Sequence, residues 1–437
     1  MPPNISAMLI YLLPLMAIMG LYIFSQQRRH KRSLELLREA TETGLLEPAS
    51  LHPLINESLC IGCKSCINAC PEHDVLGLIN NIATLVGPSN CIGHGACREA
   101  CPVNAIDLVF GTATRGVDIP LLQADFQTSV PGIYIAGELG GMGLVRNAIT
   151  QGVQAVDCAA KNLRKCPNDP LDLVIVGAGP AGLAASLAAK ELGLSYVTLD
   201  HESGLGGTIA HFPRGKLVMT RPATLPLVGK FQFVETSKEH LLAFWQDVVD
   251  KHPLNLRFSE GVTAIDGDIT NDFTTTTTLG QFRSQRVLLC IGRRGTPRKL
   301  NIPGEDLNKV AYRLQDATQY AGMNVMIMGG GDSALEAAIS LAEQENTQVS
   351  LCYRGKAFNR AKFKNRERIQ ILSQEDKLTL HMESEPTAIE RETVTLTTPD
   401  GTKVLPNQAV IICAGGVLPT AFLQNIGIQV DTKYGSR

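Results

Sequence analysis

The apolar and polar positions of this chain change period along its length. From Ile5 to Phe24 the run is apolar and uncharged, about as long as the roughly 20 residues that span a bilayer core. Arg28, Arg29, Lys31 and Arg32 follow this run, whereas a secretory signal carries its charges ahead of it and ends in a small-residue cleavage site. This order predicts a transmembrane helix over 5–24. The positive-inside rule then predicts a single-pass protein of the inner (cytoplasmic) membrane, with everything after the helix in the cytoplasm. A linker over 25–52 holds a short, partly amphipathic helix from Ser33 to Thr43, stopped at Gly44.

Further along, the pattern becomes short apolar runs leading into alanine-rich helical stretches. Leu171, Leu173, Val174, Ile175 and Val176 read as a buried parallel strand; a glycine turn, a helix and a second strand ending at Asp200 complete one βαβ unit. In GAGPAG, Gly177 permits the tight turn, Gly179 lets the backbone approach a pyrophosphate, and Gly182 lets the helix pack on the strand. Pro180 and Ala181 open that helix, whose N-terminal dipole faces the phosphates, and Asp200 is placed to bond a ribose hydroxyl. A second unit runs from the strand Asn324–Met328 into Gly329, Gly331 and Ala334, a GxGxxA turn whose helix opens with Asp332 and Ser333. After the next strand, Val349–Cys352, come Tyr353, Arg354 and later Arg360, with no acidic residue at the strand end. A 2′-phosphate needs basic groups there, so NADPH is favoured, with NADH as the alternative.

Between the two turns, Ser237–Asp250 reads as a capped amphipathic helix with Leu241, Phe244, Trp245 and Val248 at core spacing. Val262–Ile265, Thr274–Leu279 and Arg286–Ile291 read as strands. The fold class is α/β, with two Rossmann-like dinucleotide-binding domains preceded by a small α+β domain.

Length and charge narrow the picture. The 437 residues suffice for about three domains. A formal net charge of -2 gives no electrostatic footprint for nucleic acid. Most of the twelve cysteines lie between Cys60 and Cys101, and their spacing fits a reducing compartment rather than a disulfide scaffold. Cys60, Cys63, Cys66 and Cys70 before Pro71 give CxxCxxCxxxCP, the spacing of one half of a bacterial two-cluster ferredoxin. The second half has Cys91, Cys97 and Cys101 before Pro102, with His94 where a cysteine belongs. Crossed ligation assigns Cys60, Cys63, Cys66 and Cys101 to one [4Fe-4S] cluster, and Cys70, Cys91 and Cys97 to a second. His94 either completes the second cluster as [4Fe-4S], turns outward, or leaves a [3Fe-4S] centre. Cys158, Cys166, Cys290, Cys352 and Cys413 show no ligand spacing and read as small buried apolar residues.

The motifs GAGPAG (177–182), GLGG (204–207), CIGRRGTP (290–297), GGGDSALEA (329–337) and CAGGVLPT (413–420) occur in that order, and TSVPGIYIAGE (128–138) precedes them all. From about Gly116 onward they resemble the two-dinucleotide-domain flavoproteins of the disulfide reductase and thioredoxin reductase family, in which the TSVPGIYIAGE equivalent comes last. The resemblance implies a circular permutation joined through Lys165–Pro170. It predicts that Gln429–Thr432 lie beside Arg115–Ile119. It also implies FAD in the first dinucleotide domain, with Gly137 approaching the ribityl chain and Glu138 standing where the family has aspartate. Gly206, Gly207 and Thr208 are expected beside the FAD, and NADP(H) is expected in the second domain. The family's CxxC redox pair has no counterpart in Arg313–Asn324. The run GKLVMTRP (215–222) is similar to the bacillithiol-disulfide-reductase-like group.

These readings divide the chain into a transmembrane helix (5–24), a linker (25–52), a two-cluster ferredoxin domain (53–112), a permuted FAD domain (113–296 and 413–437) and an NAD(P)H domain (297–412). The expected activity is that of an NAD(P)H:acceptor oxidoreductase, passing electrons through FAD and the clusters to an electron-carrier or membrane redox protein. The chemistry is flavin-mediated, with no acid–base residue assigned. Two alternatives stand beside it: a reductase of small disulfides fed by the ferredoxin domain, and a non-enzymatic redox sensor. Homodimerisation stays open.

Overall fold

A computed structural model describes residues 5–42, 48, 51–72, 74–91, 93–113, 116–141, 144–161, 163–164, 170–219, 222–233, 235–293, 295–358 and 361–435, with backbone alone at 5–11, 22, 42, 219 and 235. Gly44, Arg115, Cys166, Arg360 and most of the joining segment (165–169) lie outside the described residues. The chain divides into two compact units. One comprises Met1–Gly116 with Asn359–Phe363 and Tyr434–Arg437; the other comprises Val117–Phe358 with Lys364–Lys433.

The first unit opens with α1 (Ile5–Glu42), a single 38-residue helix where a membrane span and a separate short helix were expected. The residues joining the two stretches, Gln26–Arg32, contain neither glycine nor proline and favour helix, so nothing ends the helix at the basic cluster. The membrane expectation is corrected: among the described residues, no helix is long and apolar enough to cross a membrane. Beyond Phe24 the same helix continues through the basic cluster Arg28–Arg32 and then Glu35, Arg38 and Glu39, so the apolar stretch is only part of one continuous element. The inner-membrane, single-pass assignment falls with it.

In chain order there follow β1 (His52–Ile55), α2 (Ser65–Ala69), β2 (Leu76–Ile79), β3 (Ile82–Leu85), α3 (Ala96–Glu99) and β4 (Ile106–Val109). β1 pairs antiparallel with β4, and β2 with β3. The β2–β3 turn is Asn80-Asn81 with both φ positive, the geometry that matches strand twist in a two-residue hairpin. The two helices start alike. Lys64 and Gly95, each in the left-handed region, precede α2 and α3, so each cysteine loop turns sharply into its helix.

The second unit contains β5 (Val117–Pro120), β6 (Ile133–Ile135), α4 (Val145–Ala159), β7 (Leu171–Val176), α5 (Pro180–Glu191) and β8 (Tyr196–Leu199). β7 runs parallel to β8 and to the strand Gln281–Leu289, and β6 pairs in parallel with Val287–Leu289. The closing stretch 133–135 therefore lies in the same sheet as the first glycine turn. Ile133, Ile135, Val174 and Leu289 share one buried cluster. The expected neighbourhood of the chain end is found: β5 pairs antiparallel with Val430–Lys433, with Pro120 opposite Val430 and Val117 opposite Lys433.

The expected strands at 262, 274 and 286 form an antiparallel meander, Val262–Asp268, Asp272–Thr277 and Gln281–Leu289. The predicted amphipathic helix spans Lys238–Lys251. Ser237 caps it by accepting from His240 N–H at 3.2 Å. A second sheet is parallel throughout, in the order 310–311, 409–412, 324–328, 348–353, 378–382.

Candidate functional site

The first glycine turn is where four expected motifs meet. Gly177 has φ +104, and a Cβ there would stand 2.5 Å from Cys290 O, so the turn fits tightly under the strand from CIGRRGTP. A Cβ at Gly207 would lie 3.2 Å from Gly179 Cα, which brings the GLGG loop onto the turn. Gly137 has φ +86, and a Cβ there would meet Ala181 Cβ at 3.1 Å, so the closing motif also backs onto the start of α5. Pro180 opens α5 behind Gly179, and no side chain caps its N-terminus. Those N–H groups suit an anionic phosphate. Gly182 packs against Gly177 O with no room for a side chain. Gly207 begins the short helix Gly207–His211 with Thr208 second in it and Gly206 just before it, and Glu138 is half-buried just past Gly137.

Asp200 ends β8 as expected but spends much of its carboxylate on backbone. It accepts from Ala178 N–H at 2.6 Å and Glu202 N–H at 2.9 Å. Burial pushes its pKa up. The bond with His201 and these two N–H donors outweigh that, and the group titrates below the usual carboxylate value. A carboxylate has about four lone-pair sites, so capacity for a ribose hydroxyl remains. Sequence reasoning missed two residues of α4. Gln151 Oε1 accepts from Gly137 N–H at 2.9 Å, fixing the closing turn, and Gly152 packs against Ala181 O where a Cβ has no space. A glycine in the middle of a helix was the available signal for the second.

At the second turn, Gly329 has φ +143 and packs against Cys413 O. Gly331 precedes the helix Asp332–Ala342, which no side chain caps, and a Cβ at Gly331 would meet open space. That is a cradle of the kind a pyrophosphate fills. Asp332 accepts from Asn365 Nδ2 at 2.7 Å. Ser333 is exposed, Ala334 is buried, and Arg354 is exposed just past the strand. The Tyr353 ring lies over Gly330 and Gly355 and stacks on Phe358 at 5.4 Å. No periodicity signals that contact, because it depends on the loop's path.

In the first unit, Cys60, Cys63, Cys66 and Cys101 line one small cavity. Cys60 Sγ accepts from Ala83 N–H at 3.4 Å, and Cys101 Sγ from Ala105 N–H at 3.2 Å. Cys70, Cys91 and Cys97 form the other neighbourhood. His94 Nε2 stands 3.8 Å from Cys70 Sγ, and its Nδ1 accepts from Ala96 N–H at 3.3 Å, so the imidazole faces this second set. Burial pushes the Cys66 and Cys97 thiols up to about 11, and neighbouring thiols add to the shift. Burial also raises Cys70 and Cys91. Among the described residues, no three such side chains converge to hold a single ion. A polynuclear cluster does not ask for that, since its thiolates take separate irons. The donor set and the spacing of the two cysteine groups fit iron–sulfur clusters. Cys290 and Cys352 are buried as expected, burial pushing the Cys352 thiol up to about 12, whereas Cys158 and Cys413 are only half-buried.

A family profile described as pyridine nucleotide-disulphide oxidoreductase matches residues 174–435, and one described as 4Fe-4S dicluster domain matches 52–102. A ferredoxin--NADP reductase of Ignicoccus hospitalis is 28% identical over 271 residues, covering 60% of this chain and 83% of that protein. A bacilliredoxin reductase of Bacillus subtilis is 22% identical over 190 residues, covering 43% of this chain and 58% of its own length. Among solved structures, a bacillithiol disulfide reductase from Staphylococcus aureus superposes with a TM-score of 0.52 at 24% identity, covering 60% of this chain and 81% of its own. That likeness shows the fold of the nucleotide-binding part.

Proposed function

The chain belongs to the pyridine nucleotide-disulphide oxidoreductase family and is an oxidoreductase, and from this premise we propose that it exchanges electrons between NAD(P)H, FAD and two ferredoxin-type clusters, with an electron-carrier protein as partner. The observation that carries this reading is the coexistence of two uncapped glycine-turn helices in one unit with two separate cysteine groups in the other. The ferredoxin--NADP reductase relative favours a carrier protein as partner over a small disulfide.

In this reading the turn at Gly177–Gly182 holds the FAD pyrophosphate, with Gly206, Gly207 and Thr208 beside it and Asp200 on the ribose. Gly137 brings its backbone to the flavin, Gln151 holds that turn in place, and Glu138 reaches a ribityl hydroxyl. Gly329–Ala334 hold the NAD(P)H pyrophosphate, and Arg354 together with Arg360 favours the 2′-phosphate of NADPH. When bound, the flavin supplies the conversion between two-electron hydride and one-electron chemistry. Cys60, Cys63, Cys66 and Cys101 would hold one [4Fe-4S] cluster; Cys70, Cys91 and Cys97, with His94 facing them, would hold the second.

The chain order is that of a circular permutation, with domains 53–112, 113–296 with 413–437, and 297–412. Its support is the β5 pairing with 430–433 and the place of β6 beside 287–289. The test of function is NADPH consumption by reconstituted protein with a one-electron dye and with low-molecular-weight disulfides. Turnover with the dye alone is expected; turnover with a disulfide alone would replace this reading by that of a disulfide reductase.

A further inference from the structure

The first unit also holds a cavity of about 620 Å³ between α1 and the β2–β3 hairpin, with no thiol among its described lining residues. Its apolar lining comes from Leu36, Ile67, Leu76, Leu78 and Val86. Its polar lining is rich in donors. Arg29 and Lys64 are cationic there, without an acidic partner among the described residues. The one carboxylate among the described lining residues, Asp74, is held by Arg32 Nη2 at 2.9 and 3.1 Å. His30 Nδ1 accepts from Asn80 N–H at 3.4 Å, which leaves Nε2 as the ring's donor. One end is tied by Gln26 Nε2 donating to Asn81 Oδ1 at 2.6 Å. The volume lies in the range of small-molecule sites, with the usual apolar wall and few convergent polar groups. Lys64, Ile67 and Asn68 belong to α2 or its N-cap, the segment that carries Cys66 and Cys70.

An occupant matched to these walls has an apolar body and oxygen acceptors to meet the cationic and amide donors. We propose that this cavity binds a quinone-class compound, its carbonyl oxygens facing the cationic and amide side. The proposal rests on the electron-transfer reading above and adds a small lipophilic molecule beside the carrier protein as an acceptor of its electrons. The overall reaction balances as NAD(P)H, one proton and quinone giving NAD(P)+ and hydroquinone.

The test is equilibrium dialysis of the full-length reconstituted protein against menadione, with decanoate as a second probe. It uses wild type, Arg29→Ala and Gln27→Trp, both on α1 and away from the cysteines, with iron content as the folding control. One saturable menadione per chain is expected, weakened about tenfold or more in each variant at unchanged iron content. Menadione affinity equal in all three proteins overturns the site, as does binding of decanoate in place of menadione. NADPH bleaching of the flavin is read anaerobically in menadione-free portions of the same preparations, because a quinone that takes the electrons would reoxidise the flavin. Bleaching without menadione binding sinks the cavity assignment alone; menadione binding without bleaching upholds the cavity and sinks the electron-transfer reading.

Discussion

Gly177→Ala would place a methyl group 2.5 Å from Cys290 O on a backbone at φ +104. We expect it to cost roughly 1–3 kcal/mol and to lower the flavin retained after gel filtration; unchanged unfolding and flavin content would contradict the tight turn. His381 gives a pH-dependent prediction. Burial, with Lys403 adding to it, holds its pKa below the ordinary 6.5, and its Nε2 has no hydrogen-bond partner among the described residues. The folded state therefore keeps His381 neutral, and its contribution is present above about pH 6.5 and lost as pH falls toward the lower folded pKa. The unfolding midpoint should drop between about pH 7 and 5, less steeply in His381→Gln. Equal slopes would remove His381 from the account. At this scale the glycines and cysteines were legible because each residue type answers one geometric or chemical demand. Gln151 was not, since an amide that fixes a turn fourteen residues away in sequence leaves no local pattern.

Among the elements, the βαβ strands, the capped helix and the meander were legible from periodicity, and α1 was not. Its apolar and charged stretches differ in composition but share helix propensity, so composition suggested a boundary where the backbone has none. The pairing of β5 with 430–433 was legible only through motif order, because strands more than 300 residues apart share no local signal. Its register makes a prediction. Asp118 and Thr432 are opposed, and Thr432 Oγ1 donates to Asp118 Oδ1 at 2.8 Å. Opposed residues of an antiparallel pair bring their Cβ atoms to about 4.5–5.5 Å, the upper edge of disulfide reach. Asp118→Cys with Thr432→Cys should give a 118–432 crosslinked peptide on mild oxidation, read by mass spectrometry. Crosslinks confined to other cysteines would contradict the register.

For the whole molecule, the two units carry separable chemistry. Cys60→Ser should lower bound iron while leaving flavin content unchanged, because Cys60 lines the cysteine cavity of one unit while the glycine turns belong to the other; parallel loss of both would deny that separation. The iron–sulfur and dinucleotide classes were legible from spacing and the flavin from the family resemblance, whereas the cavity beside α1 was not, since it arises from a helix packed on a hairpin far along the chain. In the proposed function, electrons pass between the nucleotide-binding unit and the clusters. Its direct test is an anaerobic titration of the reconstituted protein with NADPH, following flavin absorbance together with the iron–sulfur EPR signal. The flavin is expected to bleach and the cluster signal then to change. A bleached flavin beside clusters that stay unchanged at every NADPH concentration would contradict it.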